Sequence, residues 1–266
     1  MENKVDQAMI TELETIVGEE NVLTDPERII DYSHDEFTLD DIAHAPDAVI
    51  KPGSTEEVAE VVKLAQKHHI PVTARGAATG LCGGCVPSLG GFVVSLERMN
   101  KIIEIDEANQ MAVVEAGVNL IDFYEAVDEA GLFFPPHPGD ESAMVGGLIA
   151  TNAGGARAVK YGVIRNYIRG VDVVLASGKV IRIGGKIMKS STGYNLLNLF
   201  IGSEGTLGIV TRAVIQLMPP PPTSRSLIIP FESLEEAIES VPLMIRNKIL
   251  PLAVEFIPRE VIVRTE

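Results

Sequence analysis

The residues best suited to chemistry form one short run, Arg75-Gly76-Ala77-Ala78-Thr79-Gly80-Leu81-Cys82-Gly83-Gly84. A stretch of strand character, Pro71 to Ala74, leads straight into it. Glycines let a backbone turn its N–H groups inward and approach a ligand closely. Successive inward N–H groups make an anion-binding nest. Arg75 stands at the mouth, with a fixed charge and a planar fork matched to phosphate oxygens. The pattern suits the pyrophosphate of a dinucleotide. A second run, Ser142-Ala143-Met144-Val145-Gly146-Gly147-Leu148-Ile149-Ala150-Thr151-Asn152-Ala153-Gly154-Gly155, mixes apolar residues with close-approach glycines and one amide. It suits a large flat ligand packed against backbone. Glycine pairs begin at Gly83, Gly90, Gly146, Gly154 and Gly184. Taken singly such pairs are ordinary turns. There is no G-x-G-x-x-G and no Walker pattern, so a nicotinamide-type or P-loop site has no fingerprint here.

The remaining reactive side chains are weaker candidates. Cys82 and Cys85 form a Cys-x-x-Cys. Such a pair is redox-active or half a metal site when a second pair supports it; alone it reads as small loop residues. The histidines are His34, His44, His68, His69 and His137. None has the spacing of a helical metal pair, so no metal site is expected. His68 and His69 close a helix, where cations suit its dipole. His137 lies in Phe133-Phe134-Pro135-Pro136-His137-Pro138-Gly139, a stiff loop. It is the one catalytic candidate, with loop stiffening as the plainer role. Arg182, Lys186 and Lys189 make a local basic patch that reads as a solvated face.

These residues need a frame to hold them. Ile10, Leu13, Ile16 and Val17 predict a helical N-terminal segment over 1–43. Ala48 to Lys51 reads as strand. Ser54-Thr55-Glu56-Glu57 is a capping box opening a helix whose stripe is Val58, Val61, Val62 and Ala65. Strands are expected over 92–96, 102–105, 111–115, 171–176, 180–183 and 209–217, and Ser177-Gly178-Lys179 marks a hairpin. A helix carries Leu120, Phe123 and Val127, and Gly131 is placed to end it. Asn195 to Phe200 predicts a short helix. Four prolines, Pro219 to Pro222, form a stiff linker. Beyond it, a strand over 227–231, a helix opened by Ser233 and Glu236, and a strand over 252–257 predict one βαβ unit. Such a unit cannot cover both faces of its strands, so 223–266 is expected to begin a second domain.

The 266 residues carry a net charge of -15 and are 46% apolar. The acidity argues against nucleic acid, whose phosphates are bound by excess Lys and Arg. No apolar run is long enough for a membrane span. The start reads as no signal peptide. Two cysteines exclude a disulfide scaffold and suggest a reducing cytoplasm.

The chain resembles the FAD-binding domain of the vanillyl-alcohol oxidase / para-cresol methylhydroxylase superfamily. Within it, the chain is most similar to the glycolate oxidase and D-lactate dehydrogenase branch. The resemblance rests on Arg75-Gly76-Ala77-Ala78-Thr79-Gly80, Pro138-Gly139, Gly146 to Gly155, Tyr161-Gly162 and Gly202-Ser203-Glu204-Gly205-Thr206-Leu207-Gly208-Ile209-Val210-Thr211, in the family's order. It implies an α+β fold of two subdomains over 44–218 with FAD extended between them, followed by the incomplete start of a cap domain. It implies that Arg75, Gly76, Ala77, Ala78, Thr79, Gly80 and Leu81 cradle the pyrophosphate. Pro138, Gly139 and Ser142 would approach the flavin and ribityl chain, and Gly146, Gly147, Asn152 and Gly155 would continue that wall. Gly208, Ile209 and Val210 would lie near adenine, although Ile209 and Val210 also read as strand core. Some members tether FAD through a histidine in the pyrophosphate loop. Residues 75–85 hold none, so noncovalent FAD is expected. The implied reaction oxidises a 2-hydroxy acid such as D-lactate or glycolate to the 2-oxo acid. The family's histidine-held metal would come from the second domain and the segment after it. The other class of function is an electron-transfer module that holds FAD and passes electrons to a partner flavoprotein or iron–sulfur protein.

Overall fold

The computed structural model describes residues 5–37 and 42–263. Parts of the expected N-terminal segment and the last residues of the expected cap region lie outside these. The chain builds two sheets in sequence, one after the other.

The first sheet has the order β1-β2-β4-β3. Its strands are β1 (Val22–Leu23), β2 (Ala48–Ile50), β3 (Val72–Arg75) and β4 (Phe92–Ser95). Strands β2, β4 and β3 are parallel, and β1 pairs antiparallel on the edge. Parallel strands are covered on both faces and so are apolar throughout; Ala48, Val49 and Ile50 are all fully buried. One face packs on α1 (Gln7–Val17) and α3 (Thr55–His68) through Leu13, Val58, Val61 and Ala65. On the other face Val49 and Val93 meet Leu23, Ile29 and Tyr32, which the short helix α2 (Pro26–Ile29) and its flanks deliver.

Local chemistry explains the helix ends. Asp6 caps α1 by accepting from Met9 N–H at 2.9 Å. Ser54 accepts from Glu57 N–H at 3.1 Å, and the Glu57 carboxylate accepts from Gly53 N–H at 2.7 Å. Helix α3 then ends at His69, which takes the left-handed conformation at φ 55°. The expectation of a wholly helical N-terminal segment is corrected. Residues 22–23 are strand, because β2 has a free edge there and α1 has already ended at Gly18 (φ 89°).

The second sheet is antiparallel, in the order β5-β6-β9-β7-β8. Its strands are β5 (Ile102–Asp106), β6 (Met111–Glu115), β7 (Ile168–Val174), β8 (Val180–Gly184) and β9 (Ile209–Gln216). One face is covered by α4 (Leu120–Glu129) and α5 (Val145–Thr151). The fully buried Phe123 and the nearly buried Phe134 meet edge to face, their ring centroids 5.1 Å apart. The hairpin closes at Gly178 (φ 72°), as Ser177-Gly178-Lys179 predicts. Two short helices complete this half, α6 (Ala158–Tyr161) and α7 (Leu197–Phe200).

Beyond the exposed prolines, α8 (Leu234–Arg246) forms with the expected cap, Ser233 Oγ accepting from Glu236 N–H at 3.2 Å. A last short helix is α9 (Arg259–Val263). The strands expected over 227–231 and 252–257 are not formed. A strand exists only where its N–H and C=O groups find a ladder, and these segments have none among the described residues. Leu227, Ile228, Phe256 and Ile257 are exposed, and α8 buries none of its residues.

Candidate cofactor-binding site

Strand β3 delivers the chain directly into the 75–85 loop, as expected. From Gly76 to Cys82 no backbone N–H meets a protein acceptor among the described residues. Nor does the Thr79 hydroxyl find a partner among them. Residues 76–79 are half-buried and 80–82 exposed; half-buried N–H groups are normally paired, so the open donors of 76–79 mark a place for an anion. Ala78 is held at φ 61°, a left-handed turn that a non-glycine residue adopts only under constraint. The constraint is Glu36 N–H, which donates to the Ala78 and Gly80 carbonyls at 2.9 and 3.2 Å.

The Arg75 fork, expected to face a phosphate, is engaged by backbone carbonyls. Its Nη2 donates to the Asp31 carbonyl at 2.8 Å and its Nη1 to the His34 carbonyl at 2.7 Å. Its guanidinium stacks 5.1 Å from the centre of the Tyr32 ring, and the residue is 9% exposed.

Two segments of the second subdomain face this loop. A methyl group at Gly76 would stand 3.5 Å from Met144 Cβ and 3.8 Å from Gly147 N, which puts the start of α5 opposite the loop. Gly147 N–H has no partner among the described residues, and its Cα faces open space. Gly146 instead lets α5 press on Ala116, whose Cβ would lie 2.8 Å from a side chain there. The second facing segment is 202–206. A side chain at Gly205 would touch Ala74 Cβ at 3.5 Å, and one at Gly84 would touch Glu204 Oε2 at 3.2 Å. Gly202 N–H and Glu204 N–H tie this segment to the Ile149 and Ala150 carbonyls at 3.0 and 2.8 Å. Gly202 to Gly205 lie within the motif that carries the family resemblance, with no role implied there for the segment. The signal available was its glycine spacing.

The 135–139 loop forms the next part of the wall. A side chain at Gly155 would come within 2.5 Å of the His137 carbonyl carbon and 2.9 Å of Pro138 N, so the two segments touch backbone to backbone. Pro138 is buried, and Gly139 is exposed with open space around it. The Ser142 hydroxyl and N–H are both occupied by Asp140 Oδ1, at 2.7 and 2.8 Å. His137 Nδ1 lies 3.2 Å from Tyr124 Oη and 3.8 Å from Glu141 Oε1. Tyr124 donates to the Pro136 carbonyl at 2.5 Å, and burial pushes its hydroxyl well above the usual phenol range. These contacts tie the His137 loop to Tyr124 of α4.

Asn152 ends α5 at φ 50°, and its Oδ1 accepts from Arg165 N–H at 3.2 Å. Arg165 in turn donates to the Ile201 carbonyl at 3.1 Å. Gly208 is a packing glycine, since a side chain there would lie 2.6 Å from Val173 Cγ1. Ile209 and Val210 are buried in β9, so their side chains are strand core. Cys82 is exposed and Cys85 half-buried, and both thiols are free. Burial pushes the Cys85 thiol up against the opposing pull of Arg75. Among the described residues no group of three or more His, Cys, Asp or Glu could hold a metal, and no helix is long and apolar enough to cross a membrane.

An open N–H nest, faced by glycine-lined backbone across the junction of two α+β subdomains, is the geometry of a dinucleotide site. A family model described as an FAD binding domain matches residues 46–184. The chain is 46% identical to a D-lactate dehydrogenase of Anaerostipes hadrus, over 99% of this chain and 55% of that protein. It is 46% identical to glycolate oxidase subunit GlcD of Bacillus subtilis, over 80% of this chain and 45% of that one. Among solved structures, an alkyldihydroxyacetonephosphate synthase superposes with a TM-score of 0.80 at 23% identity, over 94% of this chain and 47% of that chain. The chain is thus an FAD-binding protein of the para-cresol methylhydroxylase type. It belongs to the FAD-linked family of D-lactate dehydrogenases and glycolate oxidases, and spans about half the length of the curated relatives it matches.

Proposed function

We propose that this chain holds noncovalent FAD in an oxidoreductase that converts a small 2-hydroxy acid, such as D-lactate or glycolate, to its 2-oxo acid. The observation that carries the FAD reading is the run of open N–H groups from Gly76 to Cys82 opposite Gly147, and the relatives named D-lactate dehydrogenase and glycolate oxidase support the hydroxy acid. Bound FAD would supply the hydride acceptor. The protein's part is binding and orientation. The loop N–H groups of residues 76–82 and Thr79 hold the pyrophosphate. Pro138, Gly139, Gly147 and the Gly154-Gly155 turn form the wall beside the ring system. Asn152 and Gly146 fix α5 in place behind it. No histidine lies in the 75–85 loop, which supports a noncovalent cofactor. In this reading 44–218 is the cofactor domain, 219–222 a linker and 223–266 part of a cap. The group that takes the hydroxyl proton, and the cations that hold the substrate carboxylate, come from outside the cofactor domain. Unpaired Cys82 and Cys85 suit a cytoplasmic setting.

The experiment is a flavin spectrum, followed by anaerobic addition of D-lactate or glycolate to the protein. A yellow protein that bleaches supports the reading, and acid denaturation should release the flavin. A colourless protein that takes up no added FAD refutes it. A bound flavin that no hydroxy acid bleaches assigns the chain instead to electron transfer with a partner flavoprotein or iron–sulfur protein.

A further inference from the structure

We propose that Arg75 and Asp35 form a clasp that shapes the cofactor loop from behind, so that Arg75 is a positioning residue and not a phosphate ligand. The inference rests on the FAD reading above.

The clasp joins residues 31–36 to the loop along its whole length. Arg75 grips the Asp31 and His34 carbonyls, at 2.8 and 2.7 Å. The Asp35 carboxylate accepts from Gly83 N–H at 2.5 Å. Glu36 N–H reaches the Ala78 and Gly80 carbonyls. The loop's beginning, middle and end are thus each tied to the same upstream segment. Two of these bonds hold the carbonyls of Ala78 and Gly80 back toward residue 36, which leaves the N–H groups of 76–82 free to face a ligand. Arg75 would have to break both carbonyl bonds to reach into the cleft.

Electrostatics gives the second reason. Asp35 is only 3% exposed, and its Oδ1 has no hydrogen-bond partner among the described residues. A buried carboxylate beside a loop that receives an anion opposes binding unless a cation balances it. Arg75 donates to two neutral carbonyls and, at 3.6 Å, to Cys85 Sγ, and no carboxylate bonds to it among the described residues. Its charge therefore stays available to offset Asp35. The fork sets the loop's shape, and its charge sits on the segment that carries Asp35.

Lysine separates the two roles. A lysine ammonium is a good point charge for phosphate, but it lacks the rigid fork that spans two acceptors. FAD affinity is measured by flavin fluorescence quenching for wild type, Arg75→Lys, Arg75→Met, Asp35→Asn and Asp35→Ala. Amide hydrogen exchange is followed at Glu36 and Gly83 without FAD. If Arg75 is a clasp, Lys and Met both weaken FAD by about tenfold or more, the scale of a lost charge-assisted bond, and both speed exchange at Glu36. Asp35→Asn, which keeps an oxygen for Gly83 N–H, binds FAD no more weakly than wild type, whereas Asp35→Ala binds more weakly and frees Gly83. The proposal is overturned if Arg75→Lys binds FAD like wild type with Glu36 exchange unchanged. It is equally overturned if Asp35→Ala leaves both readouts unmoved, a test that leaves Arg75 in place should its variants fail to fold. Wild-type protein that never binds FAD refutes the functional reading instead, and the exchange data still decide whether the clasp exists.

Discussion

Gly147→Ala separates a glycine kept for packing from one kept for a ligand. Position 147 lies inside α5, and nothing stands within 4 Å of where a side-chain carbon would sit. Alanine should therefore stabilise the helix by about 0.5–1 kcal/mol. For a protein of this size that raises the apo Tm by about 1–4 °C. The same methyl group would enter the space opposite Gly76, where the cofactor is proposed to lie. Crowding a filled site by one carbon costs about 1–3 kcal/mol, or about 5- to 160-fold in FAD affinity. Differential scanning fluorimetry without FAD and fluorescence quenching with FAD measure the two effects on one preparation. A fall in apo Tm would mean that Gly147 is already packed against protein. An unchanged FAD affinity would place the cofactor elsewhere.

Three further outcomes are expected. Gly155→Ala should lower Tm, because its methyl would press on the His137-Pro138 backbone, and a rigid overpacked contact costs about 1–3 kcal/mol or more, about 2–12 °C. Acid should reveal Glu97 and Asp106. Burial pushes the Glu97 carboxyl up, but bonds from Lys51 and Ser95 outweigh it and hold the group low, while bonds from Asn109 and Lys186 hold Asp106 at about 2. A depressed carboxyl stabilises the fold above its ordinary pKa, and that contribution is lost as pH falls through the lowered value. Tm should thus decline below about pH 4.5, and Asp106→Asn should flatten the limb between about pH 3.8 and 2; an unchanged limb contradicts the assignment. Ellman's reagent on native protein should find one fast thiol, Cys82, and one slow, Cys85, which burial keeps protonated; two equal rates would contradict this.

Elements set by local chemistry could be read directly from the chain. Both N-cap serines, Ser54 and Ser233, accept from the amide three residues on, and the hairpin at Gly178 and the left-handed Gly131 (φ 68°) fall where the residues place them. Helix α5 could not be read that way, because a Val-Gly-Gly start has poor intrinsic helicity. It is held by distant partners, with Val145 N–H on the Val118 carbonyl and Gly146 N–H on the Ala116 carbonyl. Strand β1 is two residues long and exists only because β2 offers an edge. The direction of Arg75 was hidden for the same reason. Its acceptors lie 44 and 41 residues upstream, and nothing in a glycine loop announces them. The βαβ pattern after the prolines misled in the other direction, since correct alternation makes a strand only where a neighbour supplies the ladder.

The two sheets follow one another along the chain, and that order sets a sequence of events during synthesis. The cofactor loop and its clasp are complete by Ser95. The wall they face begins some forty residues later, at the 135–139 loop, and β9 behind it emerges more than a hundred residues after the clasp. The first core also takes in Ala116, Val174 and Ile209 from the second half. Domains fold in the order in which they emerge from the ribosome. A nascent chain therefore carries the 75–85 loop and its clasp on a core that stays unsealed until β9 has been made. The core that begins first is sealed late, because its final residue, Ile209, belongs to the last strand of the second sheet.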